Sequence, residues 1–93
     1  MSNQVFRVTK DPDAVLDYSL DWSEWLMVGD SLAVSSWLAE AGITIDSYAR
    51  DGNVTTVWLS GGQAGRPYIV TNRVVTGGGR EDDRSIVVYV TER

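Results

Sequence analysis

The amino-acid sequence predicts an all-β protein, a single immunoglobulin-like or fibronectin-III-like β-sandwich of about six or seven strands. Apolar and polar residues alternate with a period of two along most of the chain, as in strands with one buried face. Turn signals recur about every 8–12 residues, which is typical of sandwiches. No stretch of about ten residues carries the apolar stripe of an amphipathic helix. Residues 11–93 are expected to form this domain, and residues 1–10 either an N-terminal arm or the first strand.

The first clear alternation covers residues 15–22, where the two faces differ in chemistry. One parity is apolar and is expected to pack inward; it comprises Leu16, Tyr18, Leu20 and Trp22. The other parity is polar and is expected to face water; it comprises Asp17, Ser19 and Asp21. A short helical turn is expected around residues 23–27, because Trp22, Trp25 and Leu26 have i, i+3, i+4 spacing.

The later strands are predicted from alternation that is weak in the middle of the chain and clearer toward its end. Residues 31–38 alternate only in part, and a short run begins at Ile43 after Gly42. Residues 54–60 are rich in β-branched and aromatic residues and end at a Gly-Gly pair. Residues 68–76 and 85–91 are predicted as the last two strands, joined by the polar loop GGGREDDR at 77–84. Tyr68 follows Gly-Arg-Pro and is expected to be buried at the strand entry, where it holds a loop in place.

The composition excludes several classes of function. The chain has no cysteine and no histidine, so it lacks thiolate chemistry and the commonest general base and zinc ligand. Its 13 acidic and 8 basic residues give a net charge of −5, and its arginines are scattered, so a nucleic-acid partner is not expected. No apolar run reaches the ~20 residues of a membrane helix, and the first residues are too polar for a signal peptide. We expect a soluble protein that is synthesised in the cytoplasm and has no membrane partner.

Acidic residues and glycines do not combine into a reactive site. Asp17 and Asp21 are about 13 Å apart along one strand, farther than the ~5–9.5 Å of a glycosidase pair. Acidic turns occur near Asp11, Asp46 and Asp51, and at residues 81–83, but none follows the EF-hand pattern. The glycine runs lead into strands, whereas a phosphate loop leads into a helix. The sequence therefore predicts no enzyme activity, no metal and no cofactor.

The four tryptophans are the remaining candidates for binding. We predict that Trp22 and Trp58 point inward and that Trp25 or Trp37 is partly exposed. One isolated exposed tryptophan in an apolar patch would favour a protein interface. A row of coplanar tryptophans among polar neighbours would favour a carbohydrate site.

Motifs along nearly the whole chain from Asp11 onward carry a resemblance to a known family. They are DPDAVLDY (11–18), DWSxWL (21–26), GDS (29–31), TVWLSGGxAG (56–65), YxVTNRV (68–74) and GRxDDRSI (79–86). In this combination the chain resembles the small tailed-phage virion proteins known as phage fiber-tail adaptor proteins. The resemblance implies a non-enzymatic virion structural protein that binds other virion proteins at the tail–fiber junction, in a symmetric assembly of many copies. The alternatives are a capsid decoration or head-spike-base protein, and a carbohydrate-binding module that aids adsorption to the host.

Seven residues are the candidate contacts with such partners. Val5, Phe6 and Val8 could add as a strand to the sheet of a neighbouring subunit, or could belong to the protein's own sheet. Trp25 or Trp37 could anchor an interface. Arg80 and Arg84 lie in the polar 77–84 segment, which could contact a neighbour or form a mobile hairpin tip.

Overall fold

The computed structural model describes residues 4–92, in which the chain forms seven strands and no helix. The strands are β1 (Gln4–Lys10), β2 (Leu16–Asp21), β3 (Leu32–Ala39), β4 (Ile43–Asp51), β5 (Val54–Gly61), β6 (Pro67–Thr76) and β7 (Glu81–Val90). Residues 1–3 of the predicted N-terminal segment, and Arg93, lie outside the described residues.

The strands form two sheets that pack as a sandwich. The four-stranded sheet has the order β1-β7-β6-β3, and the three-stranded sheet has the order β2-β5-β4. Neighbouring strands are antiparallel, except that β1 runs parallel to β7. In immunoglobulin terms β2-β5-β4 correspond to strands B, E and D, and β3-β6-β7 to C, F and G. The predicted single all-β sandwich is therefore confirmed.

The N-terminal segment forms a strand of the protein's own sheet over its described residues. In β1, Val5 is paired with Ser85, Phe6 with Ile86 and Val8 with Val88. Because Ile86 and Val88 are buried, Phe6 and Val8 face the interior of the sandwich, whereas Val5 lies on the outer side. The outer edge of β1 is free of a further strand among the described residues.

The core lies between the sheets and is formed by alternate residues of the strands. The buried apolar side chains are Leu20, Trp22, Leu32, Trp37, Ile43, Val57, Leu59, Tyr68, Val70, Val74, Ile86, Val88 and Val90. Each buried Val, Leu or Ile of this kind contributes about 1.5–3 kcal/mol through the hydrophobic effect. This burial accounts for a stable domain without disulfides.

The strand entry at Tyr68 is as predicted. Tyr68 is buried, and its hydroxyl oxygen accepts a hydrogen bond of 2.9 Å from the backbone N–H of Gln63 in the β5–β6 loop. This is the tyrosine-corner arrangement at the start of strand F. The predicted turn after β2 is also confirmed, because the backbone N–H groups of Trp25 and Leu26 donate to the carbonyl of Trp22 at 3.0 and 3.3 Å.

Two predictions about strand limits and burial are wrong. The loop at 77–84 is shorter than predicted, since β7 begins at Glu81 and pairs there with β6. Arg73 bridges Glu81 and Asp83 across the two strands, so the acidic residues are held in the ladder. Leu16 was expected inside but is 38% exposed, because it lies at the start of the edge strand β2 and is covered on one side only.

Candidate partner interface

The four tryptophans divide differently from the prediction. Trp22 is fully buried, as predicted, but Trp58 is 42% exposed, so its predicted inward position is wrong. Of the pair Trp25 or Trp37, one of which was expected to be partly exposed, Trp37 is only 9% exposed and Trp25 is the partly exposed one. In β5 the side chains of Thr55, Val57 and Leu59 point inward, so the alternation of the strand turns Trp58 to the outer face. Trp37 is paired with the buried Asn72, and this register places it on the inner face of β3. Trp25 is partly buried against the core.

Three of the predicted contact residues lie together around Trp22. The rings of Trp22 and Trp25 meet edge to face, with centroids 5.1 Å apart. The guanidinium of Arg84 lies 4.0 Å from the centroid of Trp22, and that of Arg80 lies 4.4 Å from the centroid of Trp25. Arg84 also donates to the carbonyl of Asp21, and Arg80 to that of Trp25. Each arginine therefore stabilises the turn after β2 by cation–π contact and hydrogen bonding.

A cleft separates the edge strands β1 and β2. It has a volume of about 430 Å³, and its apolar lining includes Phe6, Val8 and Tyr18. A second hollow, lined by Phe6, Asp21, Glu24, Trp25 and Arg84, shares Phe6 and Asp21 with it. Phe6 is 40% exposed at this edge. The fold thus brings Phe6, Val8, Trp25 and Arg84 to one side, whereas Trp37 belongs to β3 at the opposite edge of the four-stranded sheet.

The outer face of the four-stranded sheet is largely apolar. Its exposed hydrophobic side chains are Val5, Val34, Leu38, Ile69 and Tyr89. The charged group formed by Arg73 with Glu81 and Asp83 interrupts them, and these contacts raise the pKa of Arg73. The face is therefore apolar apart from one charge cluster, in which Arg73 offsets one of the two carboxylates, a composition suited to contact with another protein.

The outer face of the three-stranded sheet has the opposite character. Trp58 lies on the central strand β5, paired with Asp17 on one side and Ser47 on the other. Asp21 and Asp51 are both paired with Val54 farther along the same face. At the β-bulge next to Ser47, Asp46 accepts a hydrogen bond of 2.8 Å from the Ser60 hydroxyl. The alternation of residues in the sequence correctly predicted that Asp17 and Asp21 face outward. It was not used to predict that the neighbouring Trp58 does so too.

One carboxylate of this face, Asp21, has a lowered pKa with a clear structural cause. The Ser23 hydroxyl and backbone N–H, both hydrogen-bonded to Asp21, lower the pKa of that carboxyl. A general acid needs the opposite shift. Within residues 4–92 no group of three or more acidic side chains is placed to hold a metal ion. The search of these residues for a helix long and apolar enough to cross a membrane found none.

Comparison with protein families identifies the class of the chain. The model of the family described as Gp77, podophage GP4 fiber-tail adaptor protein gp77, matches residues 10–89. The resemblance found in the sequence is confirmed over those residues. A comparison with curated proteins found no match.

Proposed function

The chain belongs to the podophage GP4 fiber-tail adaptor family and is therefore a tail-associated structural component of the virion; on this basis we propose that it joins tail and fiber. We propose that it does so by binding one virion protein on each of two surfaces. The family match over residues 10–89 carries this proposal. We further propose that it acts without catalysis, is synthesised in the host cytoplasm, and assembles in several symmetric copies around the tail.

The two sheet faces support an adaptor role because they differ in chemistry. The four-stranded sheet presents exposed apolar side chains such as Leu38 and Ile69, and the three-stranded sheet presents acidic side chains around Trp58. An adaptor contacts two different proteins at once, and opposite faces of different character suit two different partners. The short hydrogen-bonded loops and antiparallel pairing would hold the two faces in a fixed relation.

We place a further contact at the cleft between β1 and β2. Phe6 and Val8 line the cleft, Val5 extends from the same edge strand, and Trp25 with Arg80 lies beyond it. A free edge strand beside an apolar cleft can accept an extended segment of a partner. Arg84, which is only 9% exposed, would support this region from within the fold, and the equally buried Trp37 would support the fold at the opposite edge of the four-stranded sheet.

The test is a phage that lacks the gene and is complemented by variants of the chain. Phe6→Asp is expected to reduce the number of fibers per particle at least tenfold, because a buried aspartate in the interface costs more than ~1.4 kcal/mol. Tyr48→Asp is the matched control, since Tyr48 is also a partly exposed aromatic on an edge strand but lies at the opposite edge of the sandwich. Circular dichroism of both variants establishes that each folds.

A particle reconstruction decides the location. Copies at the tail–fiber junction are the expected result. Copies at the capsid vertices would overturn the tail assignment and favour the decoration or head-spike alternative. Normal fiber occupancy in particles without the protein would overturn the adaptor proposal.

A further inference from the structure

The outer face of the three-stranded sheet is strongly acidic, and we call it the acidic face. Its carboxylates are Asp17, Asp21, Asp46 and Asp51. The other side chains of this face are small or polar, such as Ser19 and Thr56, apart from Val54 and Trp58. No lysine or arginine points outward from β2, β4 or β5. Arg50 is exposed at the edge between β3 and β4, but it is paired with the buried Thr55, away from the acidic face, and it donates to the carbonyl of Leu32.

Trp58 lies in the middle of the acidic face. It belongs to the central strand, and its register partners are Asp17 and Ser47 on the two flanking strands. Two strand spacings of ~4.8 Å separate those flanking positions by about 10 Å. Asp46 stands beside Ser47 at the bulge. An exposed indole with a carboxylate on either side offers both cation–π and ionic contacts to one positively charged side chain.

The protein's own cations are poorly placed to cover this face in a second copy. Lys10 is fully buried, and its ammonium donates to the carbonyls of Asp11 and Gly61. Arg50, Arg73, Arg80 and Arg84 are each held by partners within the chain. Among residues 4–92 this leaves Arg7 and Arg66 as exposed cations without such a partner. With a net charge of −5, two copies would repel each other at this face, so charge complementarity selects a different, basic partner.

We propose that the acidic face binds a positively charged segment of another virion protein, with an arginine or lysine side chain over Trp58 between Asp17 and Asp46. This inference rests on the proposed adaptor function and adds the chemistry of one partner. The single exposed tryptophan also differs from the row of coplanar tryptophans that would favour a carbohydrate site. All four tryptophans lie within the described residues, and Trp58 alone among them is exposed.

Trp58 and each carboxylate are expected to contribute modestly to the affinity for a basic segment, and these contributions add up over the site. An exposed cation–π contact strengthens binding about two- to fivefold. Each carboxylate contributes a similar factor of up to about five. Binding weakens as salt rises, because the screening length falls from about 10 Å at 0.1 M to about 3 Å at 1 M ionic strength.

The first experiment uses a defined basic probe and the purified chain. The end-blocked peptide Gly-Arg-Gly-Arg-Gly is titrated while the indole N–H signal of Trp58 is followed by NMR, with Gly-Gln-Gly-Gln-Gly as the neutral probe. Only the basic peptide is expected to give a saturable shift. Asp17→Asn with Asp46→Asn should weaken its binding about fivefold or more. Asparagine at position 46 retains an acceptor for the Ser60 hydroxyl, so this hydrogen bond is expected to persist in the variant.

Two further variants separate the contributions to peptide binding. One tests the effect of the net charge of the protein, and the other tests the effect of the Trp58 ring. Asp13→Asn with Glu24→Gln removes the same two charges outside the acidic face and should leave binding within about twofold of the unmodified chain. Trp58→Leu keeps an apolar side chain without the ring and should weaken binding about two- to fivefold, measured through the backbone amide signals of β5 because the indole signal is absent. Equal binding of both peptides, an equal loss in the control pair, or a saturable shift with a linear oligosaccharide instead would overturn the inference.

The second experiment distinguishes this inference from the adaptor proposal. Particles complemented with the Asp17→Asn, Asp46→Asn variant are expected to lose the chain or its fibers, and those with the Asp13→Asn, Glu24→Gln variant are not. If loss of the whole gene removes the fibers but the acidic-face variant does not, the adaptor proposal stands and this inference is wrong. If loss of the gene leaves the fibers in place, the adaptor proposal itself is wrong.

Discussion

Asn72 is the side chain where hydrogen bonds from the two sheets meet, and its removal should destabilise the whole domain. It is fully buried in β6. Its amide nitrogen donates to the Ser35 hydroxyl at 3.0 Å and to the Ser36 carbonyl at 2.9 Å. Its carbonyl oxygen accepts from the Trp22 indole at 3.0 Å and from the Thr55 hydroxyl at 2.7 Å. One amide therefore satisfies polar groups of the four-stranded and the three-stranded sheet.

The cost of Asn72→Ala can be worked out from these contacts. A buried polar group left without a partner costs about 1–3 kcal/mol. The Trp22 indole keeps a weaker bond of 3.3 Å to Thr55, so its loss is only partial. The Ser36 carbonyl and the Thr55 hydroxyl lose their bonds to Asn72 outright. We expect a loss of about 3 kcal/mol in the free energy of unfolding, a large share of the 5–15 kcal/mol typical of a domain.

Urea unfolding followed by tryptophan fluorescence measures this loss, with two threonine variants as references. Thr55→Val removes one member of the network and should cost about 1–2 kcal/mol. Thr56→Val on the outer face removes an exposed bond of 2.8 Å to Ser19 and should stay within about 0.5 kcal/mol. The double variant Asn72→Ala, Thr55→Val should cost less than the sum of the singles by at least about 0.5 kcal/mol. A loss below about 1 kcal/mol for Asn72→Ala, or full additivity, would refute the role of the network.

Two further predictions concern a buried charge and a close backbone approach. Burial lowers the pKa of Lys10, so the folded chain binds this proton less tightly than the unfolded chain does. As the pH rises toward the ordinary lysine value of 10.5, the free energy of unfolding of the unmodified chain should therefore increase relative to that of the Lys10→Met variant. Urea midpoints of both proteins at neutral and alkaline pH measure this difference, and parallel pH profiles would contradict it. A Cβ at Gly42 would lie 2.7 Å from the Tyr68 ring, whereas a Cβ at Gly65 meets nothing within 4 Å, and both glycines have positive φ. Gly42→Ala should therefore lose at least about 1 kcal/mol more than Gly65→Ala by the same measurement, and equal losses would show that the ring moves aside freely.

The fold could be predicted from the sequence because alternation and turn spacing are local properties. In β6 the inner parity of Tyr68, Val70 and Val74 is buried, as the pattern indicates. The extension of β7 to Glu81 could not be predicted in this way. Its acidic residues resemble a loop, and what holds them in a strand is the bridge to Arg73 on another strand. That contact depends on tertiary pairing, which local composition does not contain.

Trp58 was misplaced for a different reason, since the sequence does contain a signal for its orientation. Val57 and Leu59 are aliphatic and have the same parity, which is opposite to that of Trp58. Their pattern indicates that Trp58 faces outward, whereas residue type alone suggests burial. A buried tryptophan on the third strand is a property of immunoglobulin-like domains, and Trp37 on β3 is in that position. Parity would have placed Trp58 correctly, and the fold class would have decided between Trp25 and Trp37 by assigning Trp37 to the interior.

The exposure of Trp58 connects the fold to the proposed interface. The core is already filled between the sheets by Trp22, Val57 and Leu59, all fully buried, so the outward Trp58 adds little to it. On the outer sheet surface a threonine or valine would satisfy the β-strand preference equally well. An exposed indole leaves apolar area in water, and covering it with a partner recovers that free energy. The acidic side chains around it restrict which partner can do so, because an unpaired carboxylate in a dry interface is costly. The ring would therefore provide affinity and the carboxylates selectivity for a basic segment.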